Sequence, residues 1–253
     1  ECVDVPWDLR KAVRRRIREN PDAIKIWATG GGIWRWEIGS DPHYTMEEIQ
    51  AVSDECKMRG IPLWSHCFGS AGNSVKAGAD FIIHGWDLND ETIDTMAENG
   101  IMLCPTISFL PAWFATYPPN YIPELHDKFP GETVTEKELN RIYDNLRKAF
   151  SKGVLLTIGS DSFNSKITQY GDTAIGEIYE FITKAGISEM DTITAATLNG
   201  AKALRADDIT GSLEAGKSAD LLVLKENPLD DIHAISVENM EIIMKEGEFV
   251  KRL

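Results

Sequence analysis

The chain has 253 residues, 43% of them hydrophobic, enough for one large domain or one and a half. A formal net charge of −14 argues against a nucleic-acid groove and against docking on an anionic membrane surface. The cysteines (Cys2, Cys56, Cys67, Cys104) are scattered without a CxxC, and no apolar run nears the roughly 20 residues of a bilayer span, which points to a reducing, cytoplasmic setting.

The chain opens at Glu1 almost directly in a helix, with neither an initiator Met nor a signal peptide, so the natural N-terminus is expected upstream. "PWDLRKAVRRRIREN" (6–20) has helical composition and stops at Asn20-Pro21. "AIKIWATG" (23–30) predicts a short strand. "TMEEIQAVSDECKMRG" predicts a helix with a capping box from Thr45 to Glu48 and Gly60 as its stop. Strands follow at "PLWSHCF" (62–68), "FIIHGW" (81–86), "MLCPTIS" (102–108) and "VLLTIGSD" (154–161). Between them lie a short helical crossover in "GNSVKAGAD", a helix in "DETIDTMAENG", and, beyond a long loop, a helix in "TEKELNRIYDNLRKAFSKG" with a second capping box, Thr135 to Glu138. "IGEIYEFITKAG" and "SEMDTITAATLNGAKAL" each read as one helix. Five strands alternating with helices predict βα units and a parallel sheet. The tail, "SLEAGKSADLLVLKENPLDDI" and "MEIIMKEGEFVKRL", reads instead as short strands with turns, a small β appendage.

Four of the five strands carry a polar residue in the C-terminal half: Lys25, His66, His84 and Asp161. Active sites of parallel α/β folds lie at that edge. With a period of two, Lys25 shares a face with Trp27, His66 with Trp64 and Phe68, His84 with Ile82 and Trp86, and Asp161 with Thr157 and Gly159. Singly each has an ordinary explanation: a core histidine, a snorkelling lysine, a turn aspartate. Together, at equivalent depth on separate strands, they suit a divalent ion such as zinc. An ammonium cannot ligate a cation, so Lys25 has to be deprotonated by burial or chemically converted to an anion.

The strings "AIKIWATGG", "WSHCFG", "FIIHG", "GSDS" and "GSLEAGKSADLLVLKENPLDDI" resemble the amidohydrolase superfamily, most closely its prolidase-like and imidazolonepropionase-related metal hydrolases. The resemblance implies a partial TIM (β/α)8 barrel, strands 4 to 8, at residues 1–204, and part of a composite β-sandwich at 205–253. It implies that Lys25 is carboxylated and bridges two metal ions, zinc by the donor set, as a carbamate. By the same resemblance His66 and His84 are further ligands, and Asp161 is both a ligand and the general base. The implied reaction is hydrolysis of an amide or related C–N bond, in a dipeptidase, a carboxypeptidase or a cyclic-amide hydrolase. The family's strand-1 His-x-His is absent, because the other histidines are the isolated His43, His126 and His233. Strands 1 to 3 are therefore expected before Glu1.

The loop at 109–134 (with Trp113 and Tyr117) and the stretch after Lys25 (with Trp34 and Arg35) are candidates for contact with a small-molecule substrate, the aromatics for a bulky group and Arg35 for a carboxylate. Open strand edges would need cover, from a homo-oligomer or from the missing segment. Two rival readings stand beside the hydrolase. One is a Schiff-base lyase with Lys25 as nucleophile. The other is a truncated or decayed scaffold without catalysis.

Overall fold

A computed structural model describes residues 3–30, 41–108, 136–162 and 170–252. Its contacts divide the chain into two compact units. One holds the described residues up to Pro105 and those from 136 to Leu156; the other holds those at 106–108 and from Thr157 onward.

In the first unit, helix α1 (Pro6–Ile17) starts on a proline, whose missing N–H is no loss at that position, and ends on Arg14, Arg15 and Arg16, whose charges suit a helix C-terminus. Helix α2 (Met46–Arg59) has the expected capping box: Thr45 and Glu48 exchange side-chain and backbone hydrogen bonds. Left-handed Gly60 (φ 66°) ends it. Glu48 also accepts the N–H of Val5 at 3.0 Å, which ties the start of α1 to the start of α2. Glu55, 1% exposed, receives Arg14 through Nε at 2.8 Å and Nη2 at 2.6 Å, while Arg10 reaches Asp54 at 2.5 Å. The Arg14 hydrogen bonds hold the Glu55 carboxyl below its usual range against the opposing effect of burial.

Strands β1 (Ile24–Trp27), β2 (Leu63–Cys67), β3 (Phe81–His84) and β4 (Met102–Cys104) form a parallel sheet in sequence order. Helices α3 (Ala71–Lys76) and α4 (Asp90–Asn99) form the crossovers. The fold is thus α/β with a parallel sheet. Along β1 the buried Ile24 and Ile26 alternate with the exposed Lys25 and Trp27, so one face packs and the other carries the polar residue.

The expected strand at 154–161 is not a full strand. It meets β4 through a single parallel bridge, Leu103 to Leu156, and further along the N–H of Ile158 bonds instead to Ala195 O. β4 stops at Pro105, which has no N–H to lengthen the ladder. Helix α5 (Glu136–Ser151) lies beside α4, with Arg141, Lys148 and Lys152 paired to Asp87, Asp90 and Asp94. The proposed Thr135–Glu138 box falls outside the described residues.

In the second unit, α6 (Asp172–Thr183) carries Glu177, fully buried, whose carboxylate accepts the N–H groups of Ile107 at 2.9 Å and Ser108 at 2.6 Å. Burial outweighs these bonds and pushes its carboxyl up to about 7. The single helix expected at 188–204 is two, α7 (Glu189–Ala196) and α8 (Leu198–Ala203), broken at Thr197 (φ −121°, ψ −85°). The hydroxyls of Thr194 and Thr197 bond back to Met190 O and Ile193 O, a habit that bends helices. The tail forms a three-stranded antiparallel sheet, β5 (Leu221–Leu224), β6 (Met240–Lys245) and β7 (Glu248–Arg252). No helix among the described residues is long and apolar enough to cross a membrane.

Candidate functional site

The site is built on the C-terminal ends of β1, β2 and β3. The β2–β3 register sets Trp64 beside Phe81, Ser65 beside Ile82, His66 beside Ile83 and Cys67 beside His84. Alternation therefore assigns His84 to the face of Ile82 and Cys67, opposite His66. The backbone overrides it: His84 is left-handed, φ 73°, and its ring turns onto the His66 side. The expectation that His84 shares a face with Ile82 is corrected, because period-two reasoning holds only while the backbone stays extended.

The two rings meet edge to face with centroids 4.5 Å apart, and His84 Nε2 stands 3.0 Å from His66 Nδ1. Both residues are buried, at 5% and 1% exposure. Burial, then the charge of nearby Lys25, pulls the His66 imidazole down to about 3. Burial, then His66, then Lys25, lowers His84 well below its usual range. Both effects favour the neutral form of each ring. One proton suffices for the contact between them, whichever ring donates it. His66 Nε2 is buried and no hydrogen bond of strict geometry reaches it, although the Gly30 carbonyl acts on the ring. Two buried imidazoles with converging nitrogens fit the donor chemistry of a divalent cation.

Neighbouring backbone holds this geometry. Gly85 is also left-handed (φ 62°) and donates its N–H to Cys67 O at 2.8 Å. A Cβ at Gly85 would lie 2.8 Å from Leu103 Cδ1, so the position has no room for a side chain. Buried Thr29, just beyond β1, accepts the N–H of Phe68, just beyond β2, at 3.0 Å and joins the two strand ends. Behind β2, Ser65 contacts Ser74 at 2.8 Å and Cys67 at 3.3 Å, away from the histidines.

Aromatic rings surround the pair. Phe68 stacks on Trp86 (centroids 4.4 Å, 16° between planes) and lies 4.7 Å from His66 and 4.5 Å from His84. Trp86 donates its indole N–H to Pro105 O at 2.7 Å. Trp27 lies 4.6 Å from His66. Strand alternation already pairs Phe68 with His66 and Trp86 with His84, whereas the Phe68–Trp86 stack forms only when β2 and β3 meet.

Of the expected site residues, His66 and His84 come together, and Lys25 is on β1 close enough for its charge to act on both. Lys25 is exposed, which removes burial as a reason for it to lose its charge. Asp161 belongs to the second unit, where it is half-buried and left-handed (φ 46°). Trp34, Arg35, Trp113 and Tyr117 lie outside the described residues. Among the described residues, no three His, Cys, Asp or Glu side chains form a metal-binding group.

Comparison with known proteins supplies independent evidence. A family model described as "Amidohydrolase family" matches residues 6–250. Ochratoxinase from Aspergillus niger is 28% identical over 228 residues, 89% of this chain and 45% of that protein. Imidazolonepropionase from Thermoanaerobacter pseudethanolicus is 29% identical over 213 residues, 81% of this chain and 44% of that protein. A solved Xaa-Pro dipeptidase with methionine bound in its active site superposes with a TM-score of 0.83 at 33% identity, over 98% of this chain and 59% of the other. The chain thus spans about half the length of the curated relatives it matches.

Proposed function

Because the chain belongs to the amidohydrolase family, we propose that it carries part of the active site of a metal-dependent hydrolase that cleaves an amide or related C–N bond. The observation that carries the reading is the buried, neutral His66–His84 pair with its 3.0 Å Nε2···Nδ1 approach. Xaa-Pro dipeptides are the first substrates to try, since the neighbours include a Xaa-Pro dipeptidase, and N-acyl amino acids extend the trial to other amide bonds. On this reading the four parallel strands and the 154–161 segment are strands 4 to 8 of a barrel, and the β5–β7 sheet is part of a composite β domain.

His66, His84 and Lys25, the last as a carbamate, would hold the divalent metal, zinc being the ion the donor set suits. Bound there, such ions lower the pKa of water towards 7 and polarise a carbonyl. The chain's own residues do the rest. Each neutral imidazole keeps one N–H and offers one lone pair, so holding an ion would displace the proton shared between His66 Nδ1 and His84 Nε2. The exposed Lys25 amine is open to carbon dioxide; the new N–C bond forms as the amine gives up a proton to solvent. Asp161, assigned on the resemblance alone, takes a proton from the attacking water and returns it to the leaving nitrogen.

The test is hydrolysis of Xaa-Pro dipeptides and N-acyl amino acids before chelation, after it, and after zinc is restored with bicarbonate. Loss and recovery of turnover, abolished by Lys25→Ala and by Asp161→Asn, supports the proposal. Turnover that ignores chelator and both substitutions overturns it. A second reading, a non-catalytic scaffold, draws on the absent His-x-His and on the half-length match. It predicts neither tight metal binding nor turnover. A Schiff-base lyase predicts borohydride trapping at Lys25 instead.

A further inference from the structure

The rings around the histidine pair are not equivalent. Phe68 is sandwiched between Trp86 and the two histidines, and Trp86 is fixed through its indole N–H to Pro105 O. Trp27 differs. It touches His66 at 4.6 Å, yet 44% of it is exposed, while its strand neighbours Ile26 and Ala28 are buried. It is the last residue of β1, two positions beyond Lys25 on the same face. A molecule brought against His66 from the Lys25 side meets the open indole.

We propose that Trp27 is the specificity-determining residue of this site, an apolar platform for a flat hydrophobic group flanking the scissile bond. The inference rests on the hydrolase reading for the identity of that bond. It does not rest on it for the contact itself. An exposed indole attracts either apolar rings or cations. The charge nearby selects between them. Lys25 lies within electrostatic reach of both histidines, so as an ammonium it repels a cationic group at Trp27. A neutral aromatic group is favoured.

Two amides that differ only in a side chain, N-acetyl-phenylalaninamide and N-acetyl-alaninamide, test this on the full chain. Affinity is measured by titration calorimetry, with turnover followed in parallel. A third ligand, N-acetyl-lysinamide, probes the cationic alternative. The wild-type chain is expected to bind the phenyl amide at least tenfold more tightly than the methyl one. Trp27→Ala should reduce that ratio to within twofold, and Trp27→Phe should keep most of it. The thermal melt of Trp27→Phe shows whether the fold survives loss of the indole. If Trp27→Ala does not fold, Trp27→Lys and Trp27→Phe carry the comparison, and a phenyl-to-methyl ratio unchanged between them overturns the proposal. So does a wild-type ratio near one, binding of neither amide, or a preference for the lysyl amide. Phenyl selectivity that depends on Trp27 without turnover upholds the platform and counts against the hydrolase. Turnover with a ratio indifferent to Trp27 does the reverse.

Discussion

His84 reaches His66 because its backbone is left-handed. At φ 73° the side chain leaves the face that strand alternation assigns it and brings Nε2 to 3.0 Å from His66 Nδ1. For a residue with a Cβ this conformation costs roughly 1–2 kcal/mol, so surrounding structure has to hold it. Asparagine tolerates it better than branched residues do. His84→Asn is expected to stay folded and His84→Val to be less stable than His84→Asn by about 1–2 kcal/mol in urea denaturation. Equal stabilities would mean that the left-handed backbone is not retained in solution.

Gly85 extends the same turn. Gly85→Ala is expected to cost about 1–3 kcal/mol through its positive φ and the clash with Leu103. Leu103→Ala in the same chain removes only the clash. The double variant should therefore lose less than the sum of the single losses, a coupling that a double-mutant cycle measures directly.

On the proposed hydrolase reading, metal binding would distinguish the two histidines from the aromatics around them. His66→Ala and His84→Ala should each weaken zinc binding at least 100-fold in equilibrium dialysis. Phe68→Leu, which keeps an apolar ring neighbour but no ligand, should change it less than tenfold. Equal losses for all three would assign the effect to packing.

Glu177 makes the second unit sensitive to pH. Its folded-state carboxyl is pushed up to about 7 by burial, above the value near 4.3 of an unfolded glutamate. Its stabilising contribution is complete below that unfolded value and disappears as pH rises through about 7. Glu177→Gln titrates nothing there. The stability of wild type relative to Glu177→Gln should fall by on the order of 3 kcal/mol between pH 4 and pH 8. Urea denaturation of both proteins at the two pH values checks it; parallel profiles would sink the assignment.

At the α1–α2 junction, Thr45→Ala removes the hydroxyl that caps α2 and should cost about 1 kcal/mol. Glu48→Ala should cost more, because Glu48 also holds the N–H of Val5. Chemical denaturation ranks the two.

The local elements are legible in consecutive residues. Thr45, Glu48 and Gly60 specify α2 because a capping box and a left-handed stop are short-range interactions between near neighbours. The alternation of Ile24 and Ile26 with Lys25 and Trp27 specifies β1, and the strings around Lys25, His66, His84 and Asp161 carry the family. Tertiary structure decided the rest. No periodicity forecasts a left-handed His84, because strand alternation presumes an extended backbone. The single bridge at Leu156 depends on how β4 and the 154–161 segment meet. Burial of Glu177 under two backbone amides and the open face of Trp27 arise between residues distant in the chain. Short-range hydrogen bonding and side-chain period are written in consecutive residues; the desolvation and ring contacts that set the chemistry exist only once separate strands and helices have met.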